Sequence, residues 1–168
     1  FIGQINLEES RNFTDVGGPL EVDDLSGHGS ALAGVIGANG NNGVGIAGVC
    51  WKANLISIRV SNADGVSSFA NEVAGLEYLV NTSAKVINYS RGAPIGNSNL
   101  PDNPFFLAIK KLEAAGKIFV ASAGNGASNN DEVPRRAGNL DSPAIISVGA
   151  SDPEGRIFFN SNFGQTVD

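Results

Sequence analysis

Short runs of β-branched and aromatic residues alternate along the chain with apolar stripes at helical spacing. The runs at 55–60, 86–89, 118–121 and 144–148 are too short for helices and too apolar for solvent, so each predicts a buried strand. Leu32, Val35 and Ile36 follow His28 at four, seven and eight positions. They predict a helix that starts at His28, turns this face inward and stops before Asn39-Gly40-Asn41-Asn42-Gly43. A second helix is expected from Ser67 or Ser68, either of which can cap it, with the stripe Phe69, Val73, Leu76 and Val80. The third has the clearest punctuation: Asp102 or Asn103 as cap, Pro104 at its first position, a stripe of Phe105, Ile109 and Leu112, and Gly116 beyond its end. Residues 1–6 read as a short strand or its approach. The polar stretch to Ser26 reads as loop, as does the tail after 148, apart from one short strand at 156–159.

Helices alternating with buried strands predict an α/β fold, a three-layer sandwich whose mostly parallel sheet is covered by helices on both faces. In such sheets the N-termini of helices and the C-termini of strands share one edge, where sites are built. His28 opens a helix, while Ser90 and Asn125 follow strands. All three are therefore expected at that edge, far apart as they are in sequence.

Composition narrows the function classes. At 168 residues one domain is expected, long enough for a real core. The net charge of −6 and the lack of any basic cluster argue against nucleic acid and anionic membrane as partners, and no run is long and apolar enough to span a bilayer. A single cysteine, Cys50, excludes an internal disulfide and a multi-cysteine metal site and is expected to be a small buried hydrophobe. No signal peptide is visible at Phe1. Oligomeric state is left open.

The only histidine lies in Gly27-His28-Gly29-Ser30-Ala31-Leu32-Ala33-Gly34. An imidazole in a first helical turn feels the positive end of the helix dipole, which favours the neutral ring a general base needs. A packed structural histidine is the competing reading. Ile118-Phe119-Val120-Ala121-Ser122-Ala123-Gly124-Asn125 runs from a buried strand into a turn, where an asparagine amide can be aimed at an oxyanion and a glycine lets a peptide approach. The competing reading there is a plain turn asparagine.

Together these segments resemble subtilisin-like serine proteases. The first is similar to the block around the family's catalytic histidine, with Ser30 in place of threonine and Ala31 in place of histidine, and Asp24 also fits the pattern. The resemblance gives Asn125 the oxyanion-hole role, beside Ala123 and Gly124. Val86-Ile87-Asn88-Tyr89-Ser90-Arg91-Gly92 resembles the family's substrate-pairing strand, which makes Ser90, Arg91 and Gly92 substrate-binding candidates. Arg91 replaces the usual leucine, and from that change tolerance for acidic side chains is expected. The likeness spans roughly residues 13–164 and implies a peptide or protein substrate and an extracellular setting.

Neither the strand ending in aspartate nor the Gly-Thr-Ser block of the family's Asp-His-Ser triad occurs here. The chain reads as a single, truncated peptidase catalytic domain, and by itself it is expected to be inactive. Calcium is common in the family, but Asn39-Gly40-Asn41-Asn42-Gly43 reads as a turn rather than a ligand loop, so no cofactor is expected. Gly43-Val44-Gly45-Ile46-Ala47-Gly48 is formally a dinucleotide fingerprint, yet a loop precedes it where a strand is needed. A protease-like binding domain without activity is the other alternative. The Asn-x-Ser/Thr matches at Asn12, Asn81 and Asn88 are short enough to be chance.

Overall fold

The computed structural model describes residues 3–93 and 101–168. The chain divides into two compact units, Phe1–Tyr78 and Leu79–Asp168, each built on parallel strand pairing.

In the first unit strand β1 (Arg11–Asn12) runs parallel to β2 (Ile58–Arg59), with Arg11 opposite Ile58 and Asn12 opposite Arg59. A parallel bridge between Ile5 and Leu55 continues the pairing upstream. The strand expected at 55–60 is thus an interrupted ladder, and β1 lies in a stretch whose polarity predicts loop. Its inward residues explain the difference. Ser10 is buried, donating to the Asn6 carbonyl at 2.6 Å and accepting from the Ser57 N–H at 2.9 Å. Asn12 is buried too, donating to the carbonyls of Val16 and Gly18 and accepting from the Thr14 N–H. Polar groups satisfied in this way can sit inside at little cost, so polarity does not mark them as interior.

Helix α1 (His28–Gly37) has the expected extent. Helix α2 (Phe69–Leu79) is capped by the Ser68 hydroxyl, which accepts from the Asn71 N–H at 3.0 Å. Its buried positions are Glu72, Gly75, Leu76 and Leu79, whereas Phe69 is 41% exposed, so the buried face is rotated from the predicted stripe. The cause is a close approach. A Cβ on Gly75 would lie 2.9 Å from a methyl of Ile58 and 3.0 Å from one of Val60, so the helix backs onto the strand through its smallest residue. Glu72, buried beside this contact, is bonded by the Ser67 hydroxyl.

The second unit is a three-stranded parallel sheet in the order β3 (Val86–Tyr89), β4 (Ile118–Ser122), β5 (Ile145–Val148), with α3 (Pro104–Ala114) connecting the first two. The side chain of Asn103 caps α3 by accepting from the N–H groups of Phe105 and Phe106, Pro104 occupies the first turn, and Gly116 beyond the end adopts φ 69°. Phe105, Ala108, Ile109 and Leu112 are fully buried and pack with Phe119, Tyr89 and Ile87. The Tyr89 ring meets Phe105 at a centroid distance of 5.6 Å and Phe119 at 5.4 Å. Lys117 is buried just before β4, and its ammonium donates to the carbonyls of Thr82 at 2.7 Å and Ala84 at 2.8 Å, ahead of β3. In place of the strand expected at 156–159 there is a single antiparallel bridge, Ser151 to Ile157.

Candidate active site

In the first unit His28 is the first residue of α1, preceded by Gly27 with φ 84°. The cap position has no side chain, so the helix start draws its acceptor from Asp24. One carboxylate oxygen accepts from the N–H groups of Ser26 and Gly27, both at 3.0 Å, and the other from the Ser30 N–H at 2.7 Å. The slight desolvation of this carboxyl pulls its pKa up. Hydrogen bonds from the backbone and hydroxyl of Ser30 and from the backbone of Ser26 and Gly27 outweigh that pull and hold the pKa at about 2. Asp24 therefore carries its negative charge at the positive end of the helix, within four residues of the imidazole.

The expectation that Leu32, Val35 and Ile36 turn His28 inward is not met. His28 is exposed, Val35 is 58% exposed and Ile36 is exposed as well, while the buried positions of α1 are Gly34 and Gly37. Again the helix packs through glycine. A Cβ on Gly37 would lie 3.0 Å from the Ala53 Cβ and 3.2 Å from Gln4 Oε1. The segment after α1 folds back over its C-terminus, with the N–H groups of Gly48, Val49 and Cys50 donating to the carbonyls of Ala38, Val35 and Ile36 at 3.0, 2.9 and 2.8 Å. This is the segment with dinucleotide-like spacing. It ties off a helix, and the next regular element is a strand rather than the helix a phosphate site requires. Cys50 contributes its backbone to this closure, and its thiol is exposed rather than buried as predicted. The 39–43 run is a turn: Asn41 has φ 56°, Asn42 accepts from the Val44 N–H, and the Asn39 side chain is bonded by Gln4.

The remaining predicted site residues lie in the second unit, at the C-terminal ends of β3 and β4. Asn88 pairs with Val120 and Tyr89 with Ala121, so Ser90, Arg91 and Gly92 leave the sheet alongside Ser122, Ala123 and Gly124. The Ser90 hydroxyl accepts from the Asn88 amide at 3.0 Å. Ala123 is fully buried and its N–H donates to the Val148 carbonyl, while Asn125 and Gly126 are exposed. Gly124 has φ 114°, a conformation closed to residues with a side chain.

Two asparagines that sequence reasoning did not single out hold this turn. Asn162, 1% exposed, accepts through Oδ1 from the N–H groups of Gly126 at 2.7 Å and Ser128 at 3.3 Å, and its own N–H donates to the Gly124 carbonyl at 2.9 Å. Its Nδ2 donates to Asn130 Oδ1 at 2.8 Å, and Asn130, fully buried, donates to the Ala123 carbonyl at 2.9 Å. The backbone on both sides of Asn125 is thereby fixed, while its own side chain stays at the surface. An amide carried on a backbone held in this way can donate to a charge that develops on a bound carbonyl. Nothing local marks Asn162, which is 37 residues from Asn125 in a tail that reads as polar loop. A cavity of about 390 Å³ nearby is lined by Asn130, Asp131, Pro134, Asn139, Gln165 and Thr166 and holds none of the predicted site residues.

The family model described as the subtilase family matches residues 4–168. The chain belongs to the subtilase family. It is similar to the thermostable alkaline protease of Halalkalibacterium halodurans, 31% identical over 145 residues that make up 86% of this chain and 37% of that protein. It is also similar to thermitase of Thermoactinomyces vulgaris, 32% identical over 143 residues, 85% of this chain and 48% of that one. This subtilase chain thus spans half or less of the length of either protease. In fold it matches the crystal structure of the epidermin leader peptide processing serine protease of Staphylococcus aureus, with a TM-score of 0.84 at 20% identity over 98% of this chain and 46% of that one. Its parallel sheets and helices are those of a subtilisin-like α/β fold.

Proposed function

We propose that these residues form the central part of a subtilisin-like serine endopeptidase acting on peptides or proteins outside the cell. The observation that carries this reading is the Asn125 turn, an exposed amide on a backbone held by the buried Asn130–Asn162 pair. In this reading a serine from sequence beyond these residues attacks the scissile carbonyl with its hydroxyl oxygen, and His28 takes the hydroxyl proton. The carbonyl oxygen becomes an oxyanion that accepts from the Asn125 side chain. When the tetrahedral intermediate collapses, the amine leaves with the proton from His28, and water repeats the sequence on the acyl-enzyme. An aspartate, also from beyond these residues, orients the imidazole. Ser90, Arg91 and Gly92 pair with the substrate backbone, and Ala123 and Gly124 floor the pocket for the residue before the cut.

Support for the substrate-binding roles comes from the way β3 and β4 end side by side, and support for secretion from the family alone. Among the described residues no helix is long and apolar enough to cross a membrane. The coding sequence on either side of the chain tests the reading. An upstream strand ending in aspartate and a downstream Gly-Thr-Ser block are expected. The polypeptide so encoded should cleave casein and take up a fluorophosphonate probe, whereas the 168-residue chain should do neither. Labelling of the 168-residue chain, or an inert complete polypeptide, overturns it.

A further inference from the structure

Beside the Asn125 turn lies a guanidinium with no anion. Arg135 sits in a loop tied down on three sides. Its N–H donates to Asn139 Oδ1 at 2.8 Å, its carbonyl accepts from the Asn139 N–H at 3.1 Å, and the next residue, Arg136, donates its N–H to the Ala93 carbonyl at 2.9 Å, just past Gly92. Asn139 in turn donates to the carbonyl of Asn130, the residue that holds Ala123. The loop therefore connects the segment after β3 to the segment after β4.

The Arg135 side chain lies against Gly126. Its Nη2 is 3.2 Å from the point a Cβ on Gly126 would occupy, and Ser128 Oγ is 3.5 Å from the same point. Gly126 is not among the residues with positive φ, so backbone conformation does not demand glycine there. The absence of a side chain leaves room for the guanidinium. Arg135 Nε and Ser128 Oγ are both shielded from solvent, and neither has a hydrogen-bond partner. No carboxylate pairs with Arg135 among the described residues, although the chain carries 17 acidic residues against 11 basic ones. A half-buried cation with a shielded, unpartnered N–H is stabilised by an anion that arrives from outside.

We infer that Arg135 and Ser128 form a carboxylate-binding subsite, and that the preferred substrate carries an acidic side chain next to the scissile bond. The inference rests on the reading that the Asn125 turn faces a bound peptide. Adjacent Cα atoms are about 3.8 Å apart. Gly126 directly follows Asn125, so in this reading a carboxylate held over Gly126 comes from a substrate residue near the carbonyl that meets Asn125. The planar fork of arginine accepts a carboxylate through two parallel N–H bonds, and Ser128 supplies a third donor. Arg91 was the only basic residue that the sequence suggested for this preference. Arg135, ten residues beyond Asn125, is the one the geometry selects.

The test uses the 168-residue chain and tetrapeptides acetylated at one end and amidated at the other, so that no terminal carboxylate competes. Their last residue is glutamate, leucine or lysine. Binding is followed through the amide NMR shifts of Gly126 and Ser128. The glutamate peptide is expected to bind about tenfold more tightly than the leucine peptide, the ratio of one charge-assisted hydrogen-bond pair. Arg135→Gln should abolish that ratio, Arg135→Glu should turn the preference toward lysine, and Ser128→Ala should weaken the glutamate peptide alone. Equal binding of glutamate and leucine peptides, or a ratio that survives in a folded Arg135→Gln, overturns the subsite and leaves the peptidase reading standing. Should Arg135→Gln fail to fold, a glutamate preference unchanged in both Arg135→Lys and Ser128→Ala overturns it equally. If none of the peptides moves these amides, the peptide-facing role of the turn falls and the subsite falls with it.

Discussion

Two residues of the proposed centre, one at a helix start and one past a strand end, are held in opposite ways. His28 is placed by its own neighbourhood: Asp24 lies four residues before it, and all three backbone N–H groups that this carboxylate accepts lie within residues 26–30. Asn125 is placed from a distance by Asn162, which reaches back 36 residues to the Gly126 N–H. A locally held group keeps its geometry as long as its helix forms. A group held from afar keeps it only while the whole unit is folded, so damage to the two regions should show up differently.

The sharpest separation of the two is Asn125→Ala in the complete peptidase. Turnover is expected to fall roughly 10²–10³-fold, a figure that comes from subtilisin itself, with KM and the thermal midpoint nearly unchanged because this side chain is exposed. Asn162→Ala should instead cost about 2–3 kcal/mol of stability, since it strands the buried Asn130 side chain and the Gly126 N–H, and urea unfolding reads this directly. It should lower turnover as well, so loss of stability with turnover intact would remove the positioning role of Asn162. Asp24→Ala, which deletes the local cap, should cost about 1 kcal/mol, visible mainly as faster hydrogen exchange at Ser30.

Acid should produce the smallest effect. Because the folded-state pKa of Asp24 lies below its ordinary value of 3.8, the carboxylate contributes its full stability above that value and loses it as pH falls toward about 2. Exchange at Ser30 should accelerate, relative to other amides, across that window. Asp24→Asn, which cannot titrate, should flatten the profile. An unchanged profile would show that the carboxylate does not hold the helix start.

What could be read from the sequence follows the same division. The extents of α1 and α3, the caps at Ser68 and Asn103, and the cores of β3, β4 and β5 follow from signals a few residues long. The buried face of α2 was misread because hydrophobic spacing selects large side chains, whereas the strand is met by Gly75. The inward turn of His28 failed for the same reason, since α1 packs through Gly34 and Gly37. β1 escaped notice because its interior is Ser10 and Asn12, polar residues whose partners appear only after folding. Asn130, Asn162 and Arg135 belong to this last group. Their identities say nothing until a turn 5 to 37 residues away is placed beside them.

The ammonium of Lys117, held by the carbonyls of Thr82 and Ala84, has a reach beyond the bonds it makes. It moors the strands at the end opposite Ser90 and Asn125, and two parallel strands moored at their origins finish at a set level. A slip of one residue, about 3.3 Å, would reverse which side chains face α3 and lift Ala123 past the Val148 carbonyl that receives it. The alignment of the two strand tips is thus decided at the opposite end of the sheet.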